Sequence, residues 1–181
     1  MFTNLSLQQN PPFSVPARFF ITAPLFGIGA ALVFLFYGSG MLVSRWSPGM
    51  LAATHALVLG FFATVMLGAL QQILPVVVGV SIRHPKRVAG IVHLLWVIGI
   101  TLLIGAFLWP ANNLFYIAVI VLGSAIVIFV GTILMSLQRA PTHSESTPGI
   151  KLAVSSLFIT LVLGVVLIFG HTGVIPLSPP S

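Results

Sequence analysis

Three histidines, at positions 55, 93 and 171, lie within long apolar stretches of this chain. An imidazole inside such a stretch can ligate a metal, take part in proton transfer or hydrogen-bond a neighbouring helix. The first of them lies among small residues that recur at every fourth position: Ala52, Ala56, Gly60, Thr64 and Gly68. On a helix these residues form a stripe that another helix can approach closely, so His55 is predicted to face the interior of a helical bundle.

The composition places these stretches in a membrane. Hydrophobic residues make up 58% of the 181 residues, charged residues make up 4%, and the mean hydropathy is +1.17. Ordinary soluble domains are about 25% charged. The absence of cysteine excludes disulfides and thiolate metal sites. The net charge of +6 does not indicate nucleic-acid binding, because the few cations lie in short loops between apolar stretches.

Five segments are long and apolar enough to cross a bilayer, which takes about 20 residues. They are predicted at residues 19–43, 50–80, 88–109, 114–137 and 150–172. A short cytoplasmic arm, residues 1–17, precedes them, and an irregular tail, residues 176–181, follows. Residues 18–175 are therefore predicted to form a single all-α transmembrane bundle.

The cations predict the orientation of this bundle. Five spans put the two termini on opposite sides of the membrane. Six of the seven Lys and Arg residues then fall on the side of the N-terminus: Arg18, Arg83, Lys86, Arg87, Arg139 and Lys151. The positive-inside rule predicts a cytoplasmic N-terminus and a periplasmic C-terminus, in the inner membrane of a bacterium.

This topology sorts the histidines by depth. His55 and His171 fall near the outer ends of their spans, whereas His93 lies roughly 15–20 Å deeper at the rise of an α-helix. His84 and His143 fall in cytoplasmic loops and are interpreted as solvated. Two imidazoles at one depth on different helices can ligate both faces of a low-spin haem iron. Their ring nitrogens would then lie roughly 4 Å apart, by analogy with metal–imidazole bond lengths.

Five further residues are predicted to contact the macrocycle: Leu59, Phe62, Met66, Gly164 and Arg45. The first three follow His55 on one face of an α-helix. The glycine precedes His171 by two helical turns and forms a second small-residue stripe with Ser156 and Thr160. The arginine lies beside Trp46 at the outer surface, where it would pair with a haem propionate.

The same residues also allow interpretations without a cofactor. A hydrogen bond to a neighbouring helix would explain His55, ordinary helix packing would explain both stripes, and an interfacial position would explain His171. His93 is predicted to be a packed, hydrogen-bonded residue. The alternative for His93 is a ligand to a second cofactor or a role in proton transfer.

A family resemblance favours haem. The runs HALVLGF, residues 55–61, and MLGALQQILPV, residues 66–76, resemble a segment of haem-copper oxidase subunit I-like proteins and of NnrS-type haem membrane proteins. In those families a histidine near the outer end of a span ligates a b-type haem. The resemblance implies this role for His55. A second ligand from a late helix, as in the oxidases, would correspond to His171 by geometry alone.

The chain departs from the oxidases in several respects. It has far fewer spans, and it has no histidine cluster for a copper centre. Tyr37 and Tyr116 have no histidine at helical spacing for a cross-link. The single acidic residue, Glu145, lies in a loop, so no span offers a carboxylate for a proton channel. Oxygen reduction and proton pumping are therefore not expected of this chain alone.

The sequence predicts an electron-transfer, cytochrome b-like subunit that holds one haem b through His55 and His171. It is expected to act with bilayer lipid, other membrane subunits or further copies of itself, and cytochrome c or quinol, as part of an oxidoreductase. The competing hypothesis is a cofactor-free scaffold or assembly subunit of a respiratory complex. A small transporter is disfavoured, because the spans lack acidic groups and paired broken helices.

Overall fold

The computed structural model describes residues 11–109, 111–139 and 147–175. Within these ranges every regular element is helical, which confirms the predicted all-α fold, and five helices are long and apolar enough to span a membrane. Residues 1–10 of the predicted arm, the loop residues His143 and Glu145, and the predicted tail 176–181 lie outside the described residues.

The first span is α1 (Ser14–Tyr37), continued by a 3-10 helix (Gly38–Val43). The second span runs through α2 (Pro48–His55), a π-helical segment (Ala56–Ala63) and α3 (Thr64–Val78). The remaining spans are α4 (Pro85–Leu108), α5 (Asn112–Leu137) and α6 (Thr147–His171). The predicted spans are therefore present, with shifted ends and one unforeseen π segment.

Two helix starts show how local sequence sets these ends. Helix α1 begins at Ser14, inside the predicted arm, because Pro16 lies in the first turn, where a missing N–H is tolerated. Helix α2 begins after Ser47, whose hydroxyl accepts a hydrogen bond from the Met50 N–H at 3.3 Å. Pro48 occupies the first helical position, where its fixed φ favours helix initiation.

The helices alternate in direction, so the bundle has two chemically different ends. One, called here the histidine end, holds the short helix α2 and the final residue of α6, and therefore His55 and His171. The other, called the basic end, holds six of the seven cations, as predicted: Arg18, Arg83, Lys86, Arg87, Arg139 and Lys151.

The small-residue stripe of the second span is buried along its whole length. Ala52, Ala56 and Thr64 are at most 1% exposed, and Gly60 and Gly68 are buried. Helix α1 packs directly on this stripe. A Cβ added at Gly60 would lie 2.5 Å from the Cβ of Phe26, and one added at Gly68 would lie 2.8 Å from the Cβ of Phe19. The predicted close helix approach is thus confirmed.

The π segment explains why the stripe stays straight. In an α-helix a step of four residues overshoots a full turn by about 40°, so an every-fourth-residue stripe winds around the helix. A π-helix bonds each residue to the fifth along and needs more than four residues per turn, so the same step falls short. The π segment therefore cancels the drift of the α-helical turns on either side and keeps the stripe against α1.

Thr64 closes the π segment and ties it to α4. Its hydroxyl donates to the carbonyl of Leu59, five residues earlier, at 3.0 Å. The same oxygen accepts the indole N–H of Trp96 at 2.8 Å. Both side chains are 0% exposed. Because a buried polar group is costly unless it is hydrogen-bonded, this pair fixes the register of the second span against α4.

Thr64→Val is expected to lower the free energy of unfolding by about 1–3 kcal/mol, because it leaves the buried Trp96 N–H without an acceptor. Thermal unfolding in detergent, followed by tryptophan fluorescence, measures the change. Thr101→Val is the matched control, since that exposed hydroxyl bonds only the Val97 carbonyl of its own helix. Equal losses in both variants would contradict the role of the Thr64–Trp96 bond.

Candidate functional site

Four rings from four helices meet at the histidine end and are called here the aromatic cluster: His55, Phe107, Phe115 and His171. The centroid of Phe107 lies 4.9 Å from that of His55 and 6.0 Å from that of His171. Phe115 lies 5.0 Å from Phe107 and 5.3 Å from His171. The structure therefore brings the two predicted ligands to one place, where they share a phenylalanine neighbour.

His55 is held in one ring orientation. It is the final residue of α2, directly before the π segment, and it is half-buried. Its Nδ1 lies 2.7 Å from the carbonyl oxygen of Leu51. A carbonyl only accepts, so Nδ1 carries the proton and the neutral ring keeps its lone pair on Nε2. A backbone carbonyl on the second ring nitrogen is the usual arrangement of a metal-ligating histidine.

His171 approaches the cluster from the end of α6. Its ring packs edge-on against Phe115 and Phe107, while the residue as a whole is exposed. The helix ends directly after it, with Gly173 in a left-handed conformation at φ 77°. His171 is thus fixed on one side by aromatic contacts and open on the other.

Phe107 and Phe115 are the members of the cluster that sequence reasoning missed. Both are buried, and the Phe107 ring is tilted by 32° from that of His55. A flat group bound between the two imidazoles would stack on Phe107 or displace it. The signal for both residues was present in the sequence, because they fall at the end of the third span and the start of the fourth. Their depth therefore matches that of the histidines.

The predicted lining on the second span is only partly formed. Leu59 is half-buried and packs against the hydrophobic core. Phe62 and Met66 are 58% and 69% exposed, so they do not share the inward face of His55. The prediction assumed 3.6 residues per turn throughout. Residues 56–63 instead form a π segment with more residues per turn, so positions 7 and 11 residues after His55 no longer share its face.

The predicted lining on the fifth span faces outward. Ser156 and Thr160 are exposed, and their hydroxyls donate to carbonyls of their own helix. A Cβ at Gly164 would meet nothing within 4 Å. Helix α6 instead packs through Val154, which is 1% exposed, and through Leu161, which lies beside Gly123 of α5. The second stripe therefore forms no slot with the described residues of this chain.

Arg45 lies at the histidine end, between the first and second spans. It is exposed, and its guanidinium carbon lies 5.3 Å from the centre of the Trp46 ring. Such a cation–π contact holds the guanidinium beside the Trp46 ring. The position agrees with the predicted depth of Arg45, whereas contact with a propionate stays a prediction.

His93 belongs to a separate polar group nearer the basic end. Its Nε2 lies 2.8 Å from the hydroxyl oxygen of Thr22, and that hydroxyl donates its single proton to the Arg18 carbonyl at 2.7 Å. His93 Nε2 must therefore be the donor to Thr22. The ring also packs edge-on against Phe19. This confirms His93 as a packed, hydrogen-bonded residue, whose Nδ1 alone keeps a lone pair in the neutral form.

A scan against protein-family models and searches of curated proteins and of solved structures find no match to this chain. The resemblance of residues 55–76 to haem membrane proteins therefore stays a prediction.

Proposed function

We propose that this chain is a multi-pass membrane protein that binds one b-type haem at the histidine end and transfers electrons as a cytochrome b-like subunit. His55 and His171 would be the axial ligands. The observation that supports this most is the geometry of His55, whose Nδ1–H is fixed on the Leu51 carbonyl while its ring contacts the same phenylalanine as His171.

The residues at the histidine end fit such a group. Imidazoles from two different helices would form the donor set, and a haem held in this way would supply one-electron transfer between ferrous and ferric iron. The buried rings of Phe107 and Phe115 would give the cofactor apolar surroundings. Arg45 places a cation at the same end, where it would pair with a carboxylate of the cofactor.

The proposal also includes the membrane, the orientation and the partners of the protein. The cation bias supports a cytoplasmic N-terminus in a bacterial inner membrane, which would put the haem near the periplasmic face. A haem at that depth would exchange electrons with cytochrome c or quinol. The exposed helix surfaces would contact lipid, other subunits of a respiratory assembly or further copies of the chain. With no carboxylate in the described spans, the chain would be one part of an oxidoreductase and not a complete enzyme.

The competing proposal is a cofactor-free scaffold or assembly subunit of a respiratory complex. Two observations favour it. Phe107 already packs against both imidazoles, and the small-residue stripe of the second span is fully used in packing against α1. In this alternative the aromatic cluster serves only to hold four helices together.

An absorption spectrum of the purified chain separates the two proposals. The chain is expressed in haem-replete cells, purified in detergent and measured oxidised and after dithionite reduction. The haem proposal predicts a Soret band, low-spin α and β bands on reduction, and a pyridine haemochrome of non-covalent protohaem at one equivalent per chain. A folded, monodisperse protein that stays colourless after addition of haemin would overturn it and support the scaffold.

A further inference from the structure

The basic end carries far more positive charge than the chain can neutralise. Six Lys and Arg residues lie there, and Glu145 is the single acidic side chain in the whole sequence. Five helices are long and apolar enough to cross a membrane, which would put this end at a bilayer boundary. The anions nearest to it are therefore the phosphates of membrane lipids, which attract basic residues next to transmembrane helices.

Part of this charge surrounds a cleft at the junction of α1 and α4. The cleft is open, has a volume of about 320 Å³ and is lined by Pro12, His84, Pro85, Lys86 and Arg87. Pro12 lies two residues before the first residue of α1, and the other four residues form the N-cap and first turn of α4. Because this cleft is open to the surface, a phosphate group can reach the residues that line it without any rearrangement.

The start of α4 lacks a capping side chain. His84, at the N-cap position, makes no side-chain hydrogen bond to the first turn. Its carbonyl accepts the N–H groups of Arg87 and Val88 at 3.0 and 3.1 Å. Pro85 has no N–H, so the Lys86 N–H is the group in this turn that an oxygen in the cleft would satisfy. The positive end of the helix dipole also favours an anion here.

Arg18 adds a third cation from the neighbouring helix. It is half-buried, and its Nε donates to the Ser14 carbonyl at 3.0 Å, which turns the guanidinium toward the basic end. One of its terminal nitrogens lies 3.2 Å from where a Cβ of Gly90 would be, one helical turn beyond Lys86. Two helices thus bring three cations to the same junction.

We propose that this basic cleft binds the phosphodiester headgroup of an anionic phospholipid. Lys86 and Arg87 would contact the phosphate at the mouth, the Lys86 N–H would donate to it, and Arg18 would contact it from α1. The lipid chains would follow the apolar surface beside α1 and α4. This site lies at the end opposite to the aromatic cluster and does not depend on haem.

The test uses the full chain in a neutral maltoside detergent. Thermal stability is measured during titration with phosphatidylglycerol, with phosphatidylcholine and, separately, with inorganic phosphate. We expect stabilisation by phosphatidylglycerol alone. The double variant Lys86→Gln/Arg87→Gln is expected to weaken the apparent affinity for phosphatidylglycerol about 30-fold, from the usual contribution of two basic residues at an anionic lipid surface.

Arg139→Gln/Lys151→Gln is the matched control, because it removes the same charge from the same end of the bundle but outside the cleft. It is expected to change the apparent affinity less than about threefold, in keeping with screened, non-contacting charges. Equal weakening in both double variants would overturn the proposal in favour of diffuse surface charge. Equal stabilisation by inorganic phosphate would overturn the lipid as the ligand. If the cleft variant does not fold, Lys86→Gln and Arg87→Gln are tested singly, each with an expected loss of about fivefold.

Discussion

His55→Ala is expected to abolish the Soret band of the purified protein while leaving its amount in the membrane unchanged. The substitution removes one of two proposed axial ligands, and the half-buried ring it deletes is already oriented by the Leu51 carbonyl. His171→Ala is expected to give the same result from the other side of the cluster. Absorption spectra of detergent-purified variants, normalised to protein, measure the loss.

Two controls make this result specific. His93→Gln keeps a donor for the Thr22 hydroxyl and is expected to retain the wild-type spectrum, because His93 Nε2 is committed to that bond. Added imidazole is expected to restore a low-spin spectrum to His55→Ala by occupying the space left by the ring. If His55→Ala and His171→Ala both keep the spectrum, the ligand assignment is wrong. If His93→Gln loses the Soret band as completely as His55→Ala does, the loss is not specific to the proposed ligands and the assignment is likewise wrong.

Gly60→Ala is expected to lower the free energy of unfolding by about 1–3 kcal/mol, the usual cost of forcing extra volume into a well-packed interface. The added Cβ would lie 2.5 Å from both Cβ and Cγ of Phe26, atoms close to the backbone of α1 that a rotamer change moves little. The two helices must therefore separate. Thermal unfolding in detergent, monitored by circular dichroism, measures the effect.

A glycine on another helix and the phenylalanine that faces Gly60 supply the controls for this prediction. Gly131→Ala, where a Cβ meets nothing within 4 Å, is expected to leave the melting temperature unchanged or raised, since alanine is the better helix former. Adding Phe26→Ala to Gly60→Ala is expected to recover part of the loss, which a double-mutant cycle would show as coupling. A Gly60→Ala protein that melts with wild type would contradict the packing of α1 on the stripe.

The spans and the stripe were predictable because they depend on local composition. A helix that crosses lipid must satisfy its backbone internally and present apolar side chains over a set length, and both demands are visible in the sequence. The small residues from Ala52 to Gly68 likewise mark a close contact without identifying the partner. The partner is α1, which contacts the stripe through Phe26 and Phe19. This pairing depends on tertiary structure, and no local sequence pattern specifies it.

The faces of the helices were harder to predict than their ends. The depth of His55 and His171 followed from counting residues along the spans, and the structure places both in one cluster. The directions of Phe62 and Met66 did not follow, because the prediction assumed α-helical turns across residues 56–63, where the structure has a π segment. Helix α6 is apolar on nearly all sides, so its sequence does not indicate which face is buried. Packing against α5 sets that face and leaves Gly164 facing outward.

The π segment in the second span also lies between a residue that is fixed to α4 and the histidine whose ring orientation matters. Thr64 is clamped to Trp96 at one end of the π segment, and His55 lies at the other. Each residue of the π segment that changed to α-helical geometry would rotate the His55 imidazole about the helix axis by roughly 20°, while the Thr64–Trp96 hydrogen bond stayed in place. In a uniform α-helix the backbone at His55 could not rotate about the helix axis unless the whole helix, including Thr64, rotated as well.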